Sequence, residues 1–266
     1  MFIKSISLLV LVLATPVLAQ MGYYPAGENM AGNRTYSTQR RPAGTGDYYT
    51  AVMSPDGKRM VYTLRTSDRW TVVIDGRKGR DYDAIVAGPV FSYDSRRVAY
   101  VARKSNRWVM VVDGRQGPEY DGILGGYFFS PDSKSYAYVA RKSDKWLVVI
   151  DGREGPQYDA IETGPVFGLY ANRAVYTARK GDKWVVVIDG RPGPDYDAIL
   201  TGPVFSYDGR NIIYSARKGS RELVVINERA QPAYKKIVSG PIFSADGKVG
   251  YVALTNVSPL YITVWP

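Results

Sequence analysis

From Thr50 onward, short runs of Val, Ile, Tyr, Phe and Trp alternate with clusters of Gly, Pro, Asp and Ser, and the whole pattern returns every 38 residues. The unit is clearest as Gly88-Pro89-Val90-Phe91-Ser92, then Val98 to Lys104, Trp108 to Val112, Asp113-Gly114-Arg115, and Tyr120 to Leu124. Steps of 38 carry Ser54 to Ser92, Ser130, Gly168, Ser206 and Ser244, Trp70 to Trp108, Trp146 and Trp184, and Tyr82 to Tyr120, Tyr158, Tyr196 and Tyr234. The register slips only in the last unit, where one residue is lost before Tyr251. Fixed periods of this size describe units too small to bury their own apolar faces, which must stack or close into a circle.

Within a unit no run has helical spacing, and the apolar segments are short and rich in β-branched and aromatic residues, which predicts four antiparallel strands. The first, Pro89 to Ser92, opens on proline and should lie at an edge. The second and third, Val98 to Ala102 and Trp108 to Val112, are apolar at every position, so both faces must be covered by neighbouring units. The fourth, Glu119 to Leu124, mixes charge with Tyr120 and Ile123, as an outer edge does. Asp-Gly pairs at Asp56, Asp208 and Asp246 supply hairpin turns. The expected fold is all-β: a six-bladed β-propeller of four-stranded antiparallel blades over residues 47–266. The sequence ends at Pro266, just after the sixth third strand, Leu260 to Trp265. Asp47, Tyr48 and Tyr49 fall where Ile85, Val86 and Ala87 fall one unit later, so the last blade is expected to be closed by an N-terminal strand from this segment.

Composition narrows the chemistry. Of 266 residues none is cysteine and none is histidine. Disulfides, thiolate metal sites and cysteine nucleophiles are excluded, as are a Ser-His-Asp triad and the commonest metal ligand. No cofactor is implied. Met1 to Ala19 carries Lys4, an apolar run from Ile6 to Ala14, Pro16, and Val17-Leu18-Ala19 before Gln20, which is the layout of a secretory signal peptide. The apolar run is shorter than the ~20 residues of a membrane span. Residues 20–46 are rich in Gly, Pro, Asn and Thr and are expected to form a flexible lead between the cleavage site and the ring. Export without cysteines points to a bacterial periplasm or secreted space and disfavours nucleic acid as a partner. The formal charge of +10 becomes +9 when the leader with Lys4 is removed, an excess that favours anionic or acidic partners.

The first hairpins, Ser54-Pro55-Asp56-Gly57-Lys58, Ser130-Pro131-Asp132-Ser133-Lys134 and Ser244-Ala245-Asp246-Gly247-Lys248, each follow an aromatic residue or Met and precede an apolar strand. They resemble the repeats of TolB-type propellers, a WD-repeat-like family, and the likeness covers residues 47–266. It implies a six-bladed ring that works by binding envelope proteins. The ending Asp-Gly-Arg-x-Gly-x-x-Tyr at Asp75, Asp113, Asp151 and Asp189 is not part of that pattern.

The most regular polar feature is the loop between second and third strands. It places Arg65 and Arg69 in the first unit, then Arg103, Lys104 and Arg107, then Arg141, Lys142 and Lys145, then Arg179, Lys180 and Lys183, then Arg217, Lys218 and Arg221. On one face of a propeller these would form a ring of 14 cations against 3 Asp. Such a ring attracts an acidic protein partner, an anionic lipid or an anionic glycan. Repetition of one solvated hairpin would give the same ring without a ligand. The recurring acids, including Asp81-Tyr82-Asp83 and Asp195-Tyr196-Asp197, raise a carboxylate-dependent, glycan-acting mechanism, which needs two acids converging ~5–10 Å apart. Their recurrence in nearly every unit fits turn formers and Arg partners better. The repeated Trp residues read as packing between units. Symmetry breaks at Tyr170-Ala171-Asn172, at Glu222 in place of Trp and at Asn227-Glu228 in place of Asp-Gly, so a special site is expected in units four to six. The functional expectation is an exported, non-catalytic, monomeric scaffold for an envelope or secreted protein; a polyanion- or carbohydrate-binding propeller is the alternative.

Overall fold

The computed structural model describes residues 35–36, 47–124, 128–170 and 172–266. The proposed signal peptide and most of the 20–46 lead lie outside the described residues. The chain forms six consecutive antiparallel sheets, each a meander in sequence order. Sheet one holds Asp47–Met53, Met60–Thr66, Arg69–Ile74 and Arg77–Tyr82, with Thr35–Tyr36 paired to the free edge of its first strand. Sheet two holds Ala84–Phe91, Val98–Lys104, Arg107–Val112 and Arg115–Tyr120. In sheet three, Gly122–Ile123 and Phe128–Phe129 share the edge beside Tyr136–Lys142, followed by Lys145–Ile150 and Arg153–Glu154. Sheets four and five repeat the plan: Ala160–Phe167, Ala174–Lys180, Lys183–Ile188 and Arg191–Pro192, then Ala198–Phe205, Ile212–Lys218, Arg221–Ile226 and Arg229–Ala230. Sheet six has three strands, Lys236–Phe243, Val249–Leu254 and Pro259–Val264.

The unbroken apolar runs are buried on both faces, as their sequence requires. From Val98 to Ala102 no residue exposes more than 2% of its surface. Alternate residues serve opposite neighbours. Val98, Tyr100 and Ala102 pack toward sheet one with Val61 and Val72, whereas Ala99 and Val101 pack toward sheet three with Tyr138, Leu147 and Val149. The same division recurs between sheets three and four, four and five, and five and six. Truncating one such side chain, Leu147→Ala for example, removes contacts on a fully covered face and costs ~2–5 kcal/mol.

A tyrosine pin marks every junction. The tyrosine ending one unit meets the tyrosine of the next sheet's second strand edge-on: Tyr82 with Tyr100 at 6.1 Å, Tyr120 with Tyr138 at 6.0 Å, Tyr158 with Tyr176 at 6.3 Å, Tyr196 with Tyr214 at 6.0 Å and Tyr234 with Tyr251 at 6.3 Å. Edge-to-face geometry is the favoured arrangement of ring quadrupoles. The turns between third and fourth strands are equally regular. Asp75, Asp113, Asp151 and Asp189 have φ of 49–52° and the following glycines 74–79°, the left-handed pair that a two-residue type I′ hairpin needs.

Three boundaries differ from those read in the sequence. The first strand begins at Ala84 and not at Pro89, with register shifts at Ile85/Ala87 and Ala87/Val90 that carry Gly88-Pro89 without a ladder break at the centre of the sheet. It is an edge strand, as the proline demands. The segment Glu119 to Leu124 is not one strand: Tyr120 pairs with Trp108 in sheet two, while Ile123 pairs with Ala140 in sheet three. It follows that Asp47-Tyr48-Tyr49 cannot be the fourth strand of sheet six. Asp47 pairs with Arg65 and Tyr48 with Leu64, so this segment opens sheet one as Ala84 opens sheet two. Among the described residues no strand completes sheet six, and no apolar cluster joins it to sheet one. Its far side exposes Ile242 (65%) and Tyr261 (70%).

Burial lifts the pin phenols above the ordinary 10.0: Tyr120 and Tyr251 are each pushed up to about 12, and Tyr100, Tyr138, Tyr176 and Tyr214 are raised further by the same cause. The unfolded chain therefore loses these protons first, and the stability they support is complete below pH 10.0 and declines as pH rises through about 12. Denaturant titrations at increasing pH should show a flat midpoint up to about pH 10 and a falling one beyond; a midpoint that stays flat through about pH 12 would contradict it.

Candidate binding surface

The hairpins between second and third strands all lie at one end of the sheets, and their geometry explains why the sequence can repeat cations there. Each turns on two residues, with positive φ at Ser67, Ser105, Asn106, Ser143, Gly181 and Gly219. The register sets Lys104 opposite Arg107, Lys142 opposite Lys145, Lys180 opposite Lys183 and Lys218 opposite Arg221. Like charges directly across a ladder repel. An aspartate from the link to the next sheet offsets this at three of these pairs, and a fourth aspartate serves Arg69 in sheet one. Asp83 accepts from Arg69, Asp121 from Arg107, Asp159 from Lys145 and Asp197 from Lys183.

Each of these aspartates also reaches forward. Its second oxygen accepts the turn amide of the following sheet's hairpin: Ser105 to Asp83 at 2.6 Å, Ser143 to Asp121 at 2.6 Å, Gly181 to Asp159 at 2.6 Å and Gly219 to Asp197 at 2.5 Å. One carboxylate thus latches two neighbouring sheets. The Lys145 ammonium and then the Gly181 amide hold Asp159 below the usual carboxylate range, and Lys183 and then the Gly219 amide do so for Asp197. The acids at the other end are engaged as well: Asp75, Asp113 and Asp189 bind Arg59, Arg97 and Arg173 at 2.9, 3.0 and 3.1 Å. Asp83 and Asp197, raised as carboxylate candidates, are latch residues in this structure.

The ring of cations predicted from the sequence is therefore not uniform. Arg107, Lys145 and Lys183 are held by the latches, Lys142 binds Glu154 at 3.0 Å, and Arg141 and Arg179 lie over Trp146 and Trp184 at 5.9 Å. Arg103, Lys104, Lys180, Arg217, Lys218 and Arg221 form no ion pair among the described residues. Charge concentrates further where the latch fails. Lys235 stands at the position of Asp83, Asp121, Asp159 and Asp197, so Arg221 meets a cation where its counterparts meet an acid. The hairpin end of sheets five and six thus carries exposed Arg217, Lys218, Arg221, Lys235 and Lys236. Beside them lie the exposed Val238, Leu260 and Val257, the last 94% exposed. Lys235 and Lys236 were not singled out in the sequence. The signal was there in the register, but the aspartates they interrupt looked like turn formers until their contacts were known. Among the described residues there is no group of three or more His, Cys, Asp or Glu placed to hold a metal.

No family model matches this sequence. No curated protein matches it. Solved structures are similar to it at low identity. TolB from Acinetobacter baumannii is 17% identical over 65% of this chain and 50% of its own, with a TM-score of 0.35. The β-propeller domain of the Trilobed protease from Pyrococcus furiosus is 14% identical, covering 86% of this chain and 92% of that one at a TM-score of 0.36. Acylaminoacyl peptidase from Pyrococcus horikoshii is 12% identical over 86% of this chain and 44% of its own, at 0.32. The chain spans about half the length of that TolB.

Replacing a latch acid tests its structural role. Asp121→Ala deletes the partner of Arg107 and the acceptor of the Ser143 amide, and should lower the melting temperature by about 2–4 °C, the shift of ~1 kcal/mol in a domain of this size. An unchanged melting temperature would make the latch ornamental.

Proposed function

We propose that this protein is an exported, non-catalytic scaffold of the bacterial envelope that binds a protein with an acidic surface, using the hairpin end of sheets five and six. One observation carries the reading: five exposed cations, Arg217, Lys218, Arg221, Lys235 and Lys236, adjoin exposed Val238, Val257 and Leu260 where the aspartate latch is missing. An apolar patch with a charged border is the usual composition of a protein docking surface. A one-signed border steers an acidic partner and sets its orientation. The signal-like leader supplies the export and the absence of cysteine suits the periplasm. Ring closure belongs to the same proposal: one added strand along the free edge of Pro259–Val264 would complete sheet six. TolB-type propellers, which this chain resembles, bind envelope proteins, and the same role is proposed here.

Cross-linking in envelope fractions, followed by purification of the chain, tests the surface. Arg217→Glu with Lys218→Glu should remove the cross-linked partner, while Arg141→Glu with Lys142→Glu, whose cations already have partners, should retain it. Equal loss from both pairs would favour a general polyanion binder, and retention by both would remove the proposal.

A further inference from the structure

At the end of the sheets opposite the basic hairpins, three junctions are closed by an arginine clamp. Arg59 binds Asp75 of its own sheet at 2.9 Å, donates to the Ser95 carbonyl of the next sheet at 3.0 Å and lies over Phe91 at 5.4 Å. Arg97 repeats this with Asp113 at 3.0 Å, the Lys134 carbonyl at 2.7 Å and Phe129 at 5.2 Å. Arg173 binds Asp189 at 3.1 Å and the Arg210 carbonyl at 3.0 Å. A planar guanidinium suits this work, because it satisfies a carboxylate and a carbonyl in its plane while stacking on a ring.

Two junctions lack the arginine, and they lack it differently. In sheet five, acid and cation have changed together: Asn227 occupies the aspartate position, Asn211 the arginine position, and the two amides bond to each other at 2.7 Å. In sheet three only the cation is gone. Ser135 stands where Arg97 and Arg173 stand, yet Asp151 remains. Asp151 Oδ1 accepts the Tyr136 amide at 2.9 Å, and Oδ2 has no partner among the described residues. The ring that would stack, Phe167, and the residue whose carbonyl would accept, Asn172, are both present. A groove of about 790 Å³ opens between them, against about 240 Å³ at the junction that Arg97 occupies.

We infer that this groove is a socket for a guanidinium supplied in trans, an arginine side chain of a protein partner. Its carboxylate and carbonyl are those that three sister junctions fill from within the chain, and its ring is the one stacked at two of them. The step from guanidinium to partner protein rests on the scaffold reading above; the socket itself does not, since it lies at the other end of the sheets and is read out with a small ligand. The ligand is N-acetyl-arginine amide, titrated into the full chain by calorimetry, with the lysine and glutamine amides as comparisons.

Saturable binding of the arginine amide, weaker binding of lysine and none of glutamine are expected. Asp151→Asn should weaken binding about tenfold or more through loss of one charged acceptor. It keeps the turn, since Asn227 makes the same bond to the Ile212 amide at 2.9 Å. Ser135→Arg should abolish binding by filling the socket from within, and should raise the melting temperature. No saturable binding to the wild-type chain and none when Arg34, Arg40 and Arg41 are replaced by glutamine, or wild-type affinity in both the Asp151 and Ser135 variants, would overturn the socket whatever the cross-linking shows. Binding that emerges only when Arg34, Arg40 and Arg41 are replaced by glutamine would place an arginine of this chain in the socket and overturn the assignment to a partner.

Discussion

Everything in this structure depends on the fact that one sheet cannot cover itself. The second and third strands of each unit are apolar on both faces, and residues alternate between two neighbours along each strand. Each of sheets two to five is thus a wall shared by two cores. Losing one large side chain from such a wall costs ~2–5 kcal/mol, whereas a half-exposed latch of the Asp121 type contributes ~1 kcal/mol. Apolar burial therefore decides that the sheets associate. The aspartate latches and arginine clamps decide how two adjacent sheets are aligned, because their acceptors and donors sit on both sides of each junction.

That division of labour links fold to function. A repeat copies its alignment devices at every junction, and copied charges are mostly consumed by the copying. Half of the twelve hairpin cations of units two to five thus already have an acid or a ring against them. Charge is left over where copying stops. Lys235 leaves the hairpin end of sheets five and six with five cations around one acid, Glu222, and Ser135 leaves Asp151 between sheets three and four without its clamp arginine. The two breaks are opposite in sign and lie at opposite ends of the sheets. Both can be occupied without disturbing the apolar walls.

Much of the fold was legible in the sequence. The 38-residue period located six units, and continuous apolar runs identified the doubly covered strands. The boundary between units was misplaced, because Tyr-Asp-Ala-Ile reads as one extended segment although its tyrosine belongs to one sheet and its isoleucine to the next. Periodicity finds extended backbone but not the sheet it joins. That single misplacement assigned Asp47 to sheet six. The site was less legible. The predicted cations do lie together, but their pairing partners sit 12 to 14 residues away, in other elements. The exception at Ser135 was visible as a substitution and meant nothing until the path of Arg97 showed what was missing. Lys235 lies among units four to six, where the sequence breaks symmetry, and the groove lies between units three and four.

Amide hydrogen exchange on the intact chain tests the shared-wall account most directly. If neighbouring sheets cover one another, amides of Val98–Lys104, Tyr136–Lys142, Ala174–Lys180 and Ile212–Lys218 should exchange slowest and at a common rate set by concerted unfolding, with Pro259–Val264 exchanging far faster. Distinct rates for each sheet, each opening without its neighbours, would contradict the account.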